Sequence, residues 1–321
     1  MPISHWGRFE PGPELNWSIS LTLGEYNKFS DFTSSIPTLY FLDICLVNVA
    51  KLRSASLTKD QRKVNWFNRL RDLDRPQHSF SYLLALMERV SNSRDLLSDE
   101  KLEQEIKKDM ASLRRFFKKA RVFEQDDYVV DYLRKLRRAP VEINRDRYLK
   151  FLDLMNSKFK LMNPVKKEER LEKVIEIVDE ADLCGISRQH PVVLTAMACV
   201  YENPDARNLM NFKFEPAKYK AENVLSDIVA IQRFAEFKLK IYSEIPRGGK
   251  YLFSEFLTDD DGLAGISKLF TAKSLKVEDD NEESQLEFIF SINIDLLLKE
   301  ADFVEVENVI FEIKNHSSIV V

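Results

Sequence analysis

Residues 38–51 read TLYFLDICLVNVAK, and the order of residue types within them decides the fold. Thr38–Leu42 is a β-branched, aromatic and aliphatic run of strand length. The residues after Asp43 stay apolar but run on toward Leu52, so the chain is expected to pass from a buried strand into a helix. Asp43 stands at the junction. A carboxylate set between two strongly apolar runs is costly to bury unless it is paired or binds a cation. The end of a strand, just before a helix, is also where open α/β sheets place their functional groups. The competing reading is a plain helix N-cap, with Asp43 accepting backbone N–H groups.

Working outward, residues 14–23 (ELNWSISLTL) read as a further strand, and residues 58–73 and 79–91 as helices. From about 98 to 138 the chain reads as long, charged helix, with Ser98 as N-cap and Asp99 and Glu100 in its first turn. Helices follow at about 145–161, 166–182, 190–202, 204–211 and 216–240. Pro246–Lys250 forms a turn, YLFSEFLT a strand, and Asp261 opens a short helix. Beyond Thr271 there are 12 acidic and 4 basic residues, and the runs LEFIFSINI and FVEVENVIFEIK look β-like. Residues 271–321 are therefore expected to form a small acidic β appendage with one helical turn near 295–300. It would cover a sheet edge or mediate self-association as a homo-oligomer.

Composition narrows the function. Only 8 glycines in 321 residues argue against a turn-dense all-β fold and against glycine-rich phosphate loops. A net charge of −4 gives no whole-molecule field for nucleic acid, so such a partner would need a local basic patch. Cys45, Cys184 and Cys199 cannot all pair and include no C-x-x-C, which reads as buried reduced thiols in a cytoplasmic protein. The first 17 residues do not read as a signal peptide, and the longest apolar stretches are too short to span a bilayer. His5, His78, His190 and His316 lack metal-ligand spacing. No G-x-S-x-G, P-loop, G-x-G-x-x-G or H-E-x-x-H occurs. Carboxylates remain.

Two further acids and one aspartate run stand out. Glu88 ends the apolar run YLLALM, where the ordinary reading is a solvated helix glutamate. Asp227 adjoins the stripe Val224, Leu225, Ile228 and Ile231, which suggests partial burial. Thr258-Asp259-Asp260-Asp261 follows an apolar strand, where three aspartates repel unless a cation or a helix N-terminus compensates. The ordinary reading there is a capped Asx turn.

Taken together, LYFLDICLV, LLALMERV, NVLSDIVAI and FLTDDDGL resemble the PIN-domain nuclease family, with FLTDDDGL similar to its closing T-x-D-x-x-L pattern. The resemblance implies an α/β/α sandwich around a parallel sheet, spanning residues 1–270. The interval of 139 positions from Glu88 to Asp227 would accommodate a helical insertion at about 97–183. It also implies Asp43, Glu88, Asp227 and Asp260 as the acidic set, with Thr258 beside the last and Asp259 as a possible substitute for it. Family members of this type use Mg²⁺ or Mn²⁺ and often cut RNA, as toxins or processing factors. A toxin or defence endoribonuclease is thus one expectation. An inactive scaffold on the same fold is another, and a metal phosphohydrolase of small phosphate esters a third.

The residue types suit the chemistry, since hard divalent cations take oxygen ligands and relieve repulsion among converging carboxylates. For the substrate backbone, residues 101–138 hold 12 Lys or Arg against 7 Asp or Glu. Arg114, Arg115, Lys118, Lys119 and Arg121 cluster around Phe116 and Phe117. This is either an RNA-binding patch with stacking rings or a solvated helix face with its phenylalanines in the core.

Overall fold

The computed structural model describes residues 35–52, 60–92, 97–138, 144–280 and 283–314, with three isolated positions before them. Side chains of residues 92, 274–280 and 283–290 are not described. The strand expected at 14–23 lies outside the described residues. Among the described residues the first complete element is strand β1 (Thr38–Leu42), every residue of it buried, followed by helix α1 (Ile44–Lys51). Then come α2 (Gln61–Asp72), β2 (Ser79–Ser81), α3 (Leu83–Asn92), α4 (Asp99–Phe116), β3 (Arg121–Val122) and α5 (Asp126–Arg138). Helices α6 (Arg145–Ser157), α7 (Arg170–Leu183), α8 (Pro191–Val200), α9 (Pro204–Met210) and α10 (Ala221–Glu244) lead to β4 (Phe253–Leu257) and α11 (Asp261–Ser267). The last elements are β5 (Phe270–Asp280), β6 (Glu283–Ile292), α12 (Ile294–Leu297) and α13 (Phe303–Lys314).

The fold is mixed α/β and largely helical. Its sheet has the order β3-β2-β1-β4, with every pair parallel. Parallel neighbours need crossovers, and helices supply them. Alternation along β1 splits its side chains between two faces. Phe41 packs on Phe234 and Phe237 of α10, at 5.7 and 5.3 Å between ring centroids. Tyr40, on the other face, stacks on Phe80 at 5.3 Å, and Phe80 on Phe117 at 3.7 Å. Helix α10 thus covers one face and the C-terminal end of α4 the other.

Chain order makes one place in this sheet special. The path runs from β1 to β2 to β3 in one direction, then returns on the far side of β1 as β4. The C-terminal ends of β1 and β4 therefore flank the switch point, where open α/β sheets bind their ligands.

Two apolar cores share the work. One surrounds the sheet and takes in α1, α3, α4 and α5; the other gathers α6 to α9, the first half of α10, α11 and the C-terminal helices. Helix α10 joins them, giving Val224, Leu225, Ile228 and Ile231 to the second and Phe234, Phe237 and Ile241 to the first.

Several expectations need correction. Ser79–Ser81 is a strand, because it pairs with Leu39–Phe41. The charged block 98–138 is two helices with β3 between them. It packs in the sheet core, so an insertion cannot begin at 97. Residues beyond 271 are not a separate β appendage. β5 and β6 form an antiparallel hairpin, but FVEVENVIFEIK is helical, and Leu297, Leu298, Val306, Val309 and Ile313 join the second core. Among the described residues no helix is long and apolar enough to cross a membrane.

Candidate active site at the sheet switch point

Asp43 follows the last residue of β1 and is 7% exposed. Its N–H donates to the Leu257 carbonyl at 3.0 Å, which pins the ends of β1 and β4 together. It occupies the N-cap position of α1, yet its side chain caps nothing in that helix. Instead Oδ2 accepts from the Thr258 hydroxyl at 2.8 Å. The plain N-cap reading of Asp43 is therefore not what the fold uses.

Glu88 comes to the same junction from α3. Burial first, then the nearness and charge of the Asp43 carboxyl and the charge of Asp227, push Glu88 up to about 10, while the Ile44 backbone N–H works the other way. At neutral pH Glu88 therefore keeps its proton.

Asp227 sits on α10 within the stretch that gives Val224, Leu225, Ile228 and Ile231 to the second core. Burial, and then the charges of Asp43 and Asp260, push it up to about 8. Asp260 comes from the loop after β4. Its N–H donates to Thr258 Oγ1 at 3.0 Å, and its Oδ1 accepts from Leu263 N–H at 2.7 Å as the N-cap of α11. The capped-turn reading of Asp260 thus holds, and the residue also faces Asp227 electrostatically.

A neighbouring thiol reports the same crowding. Cys45 is exposed as a residue, contrary to the expectation of a buried thiol, while Cys184 and Cys199 are buried. Packing around its sulfur, then the charges of Asp43, Glu88, Asp227 and Asp259, push it up to about 12. Four acids from four separate segments act on one atom.

The three consecutive aspartates divide their tasks. Arg62, near the start of α2, donates to Asp259 at 2.5 Å and reaches Asp261 at 3.1 Å. Asp259 is thereby paired, so it is a poor substitute for Asp260. Nothing local in the sequence points to Arg62; only the unbalanced charge of the aspartate run called for a cation.

The donor set suits a hard divalent cation, being all carboxylate oxygen with two members held above their usual range by burial and then by like charge. Among the described residues, no three His, Cys, Asp or Glu stand in a geometry ready to ligate an ion. The two observations concern different ranges. Charge is felt across a cluster, whereas ligation needs oxygens about 2 Å from one point.

The basic cluster is elsewhere. Arg121 pairs in register with Ser79, which is level with Leu39 near the start of β1. The cluster therefore lies toward the N-terminal end of the sheet, roughly 13 Å of strand rise from Asp43. Arg114 is bound to Asp126 at 2.6 Å and to the Glu124 carbonyl, Arg115 reaches Ser112, and the backbone of Lys118 and Lys119 is tied to Asp74. Phe116 and Phe117 are buried and cannot stack on bases. The core reading of these rings is the right one.

No protein-family profile, curated protein or solved structure matches this chain.

Proposed function

We propose that this chain is a Mg²⁺- or Mn²⁺-dependent nuclease that hydrolyses phosphodiester bonds, with RNA as its substrate, in the manner of a toxin or defence endoribonuclease. What supports this is the hydrogen-bonded group Asp43, Thr258 and Asp260 at the switch point of a parallel sheet, beside which burial, and then the charge of neighbouring acids, raise Glu88 and Asp227.

Asp43, Glu88 and Asp227 would be the principal ligands, and Asp260 would complete the shell or orient a water. A bound divalent ion supplies the positive charge that activates the attacking water and offsets charge on the phosphate. Thr258 aims Asp43 and fixes the backbone of Asp260, so one hydroxyl holds two members of the set. Glu88 must give up its proton to act as a ligand, so ion binding releases protons and strengthens with pH. Arg62 keeps Asp259 and Asp261 occupied at the rim.

The test is cleavage of labelled RNA by the purified chain with Mn²⁺, beside Asp43→Asn. Cleavage that Mn²⁺ supports and Asp43→Asn abolishes supports the proposal. Cleavage that persists in EDTA overturns it. A chain that neither cuts nucleic acid nor gains thermal stability from Mn²⁺ is instead a scaffold on this fold.

A further inference from the structure

We infer that the loop Asn211–Lys220 is a binding surface for single-stranded RNA beside the carboxyl cluster, with Phe214 stacking on a base and Lys213 and Lys220 meeting phosphates. The choice of RNA rests on the nuclease reading; the surface itself rests on the loop.

The loop is held at both ends and bare in the middle. The Lys213 N–H donates to Asn156 Oδ1 of α6 at 2.7 Å. Phe212 packs against the buried Tyr219, with ring centroids 5.6 Å apart. Between these anchors Phe214 is 82% exposed, the most exposed large apolar side chain among the described residues. An anchored loop that presents an uncovered ring is a stacking platform, because every base has a face to offer it.

Charge on the loop favours a polyanion. Glu215 is taken up by Lys218 at 2.8 Å. Glu222, just beyond the loop, is taken up by Arg145 at 3.4 Å. Lys213 donates to the neutral Asn211 amide oxygen, a bond that brings no opposing charge, and Lys220 is exposed at the start of α10.

Two elements fix the loop near the acids. Lys220 precedes Asp227 by two turns of α10, about 10 Å along the helix. On the other side α9 lies against α11, where a Cβ on Gly262 would stand 2.6 Å from the Leu209 nitrogen. Gly262 is two residues from Asp260, and Leu209 is five from Phe214. The basic cluster at 114–121 has no such relation to the acids.

The experiment uses the full chain carrying Asp43→Asn, so that the probe stays intact, and measures anisotropy of a fluorescein-labelled twelve-residue oligouridylate. Phe214→Ala is expected to weaken binding about ten-fold, with Phe214→Trp restoring it. Lys213→Ala with Lys220→Ala is expected to flatten the plot of log affinity against log salt by about 1.4. A fully paired RNA of equal length should bind more weakly than the single strand. Affinity unchanged in all these variants, or no binding of the single strand, overturns the inference. Phe214-dependent binding in a chain that never cleaves RNA sinks the nuclease reading and leaves this surface standing. Cleavage by the wild type that is indifferent to Phe214, Lys213 and Lys220 does the reverse.

Discussion

The Thr258 hydroxyl donates to Asp43 Oδ2 at 2.8 Å, joining the loop after β4 to the end of β1 across 215 residues of chain. The same oxygen accepts the Asp260 N–H at 3.0 Å. A buried hydroxyl used as both donor and acceptor fixes two acids at once, which a valine of similar shape cannot do.

Thr258→Val should therefore cost about 1–3 kcal/mol of stability, the penalty for leaving buried partners unsatisfied. Thr258→Ser should cost less, since it keeps the hydroxyl. Urea denaturation of the two variants checks the order. Equal stability of Thr258→Val and wild type would contradict the role given to this hydroxyl.

The metal-free protein should lose stability as pH rises from about 5 to 9. Glu88, raised to about 10, and Asp227, raised to about 8, hold protons in the folded state that the unfolded chain releases above its ordinary carboxyl range. Their stabilising contribution is complete below that range and fades as pH climbs through 8 toward 10. Glu88→Gln, which stays neutral, should flatten the curve. The rise in Tm caused by Mn²⁺ should grow over the same window, because the ion competes with those protons. A Mn²⁺ effect larger at about pH 6 than at about pH 9 would contradict this.

Asp109 makes a separate prediction about the core. It is buried and accepts from Tyr82 Oη and Arg89 Nη2, both at 2.8 Å, and pairs with Lys51. Asp109→Ala leaves two cations and a phenol without their acceptor and should destabilise by about 3–5 kcal/mol. Denaturation midpoints would measure it. Mn²⁺ affinity of the folded fraction should not change, since this cluster is distinct from the switch-point acids.

Gly262→Ala should disturb the site through packing. A methyl there meets the Leu209 nitrogen at 2.6 Å and the Asp205 carbonyl at 2.9 Å, backbone atoms that cannot step aside. The expected cost is about 1–3 kcal/mol from overpacking. Mn²⁺ affinity should also weaken, because α11 carries Asp260 as its cap. Thermal melts with and without Mn²⁺ read both effects.

What the sequence revealed followed from how local each signal was. β1 and Asp43 were legible because five apolar residues, an acid and a helical run are adjacent in the chain. β2 was not, since three residues inside a helical pattern become a strand only by pairing with Leu39–Phe41. FVEVENVIFEIK alternates like a strand at its start. Its buried positions Val306, Val309 and Ile313 nevertheless follow helical spacing, and the second core decides the matter. The charge of Arg114–Arg121 was plain, but the β2–β3 register alone sets which end of the sheet it occupies. The pairing of Arg62 with Asp259 spans 197 residues and leaves no local trace.

The central claim is that acids from four distant segments make one divalent-cation site, and calorimetric titration of Mn²⁺ into the wild type and Asp227→Asn at about pH 8 tests it most directly. Saturable binding to the wild type, with release of protons to the buffer, is expected, weakened at least ten-fold in Asp227→Asn. Equal affinity in both proteins, or no heat of binding to either, would contradict it.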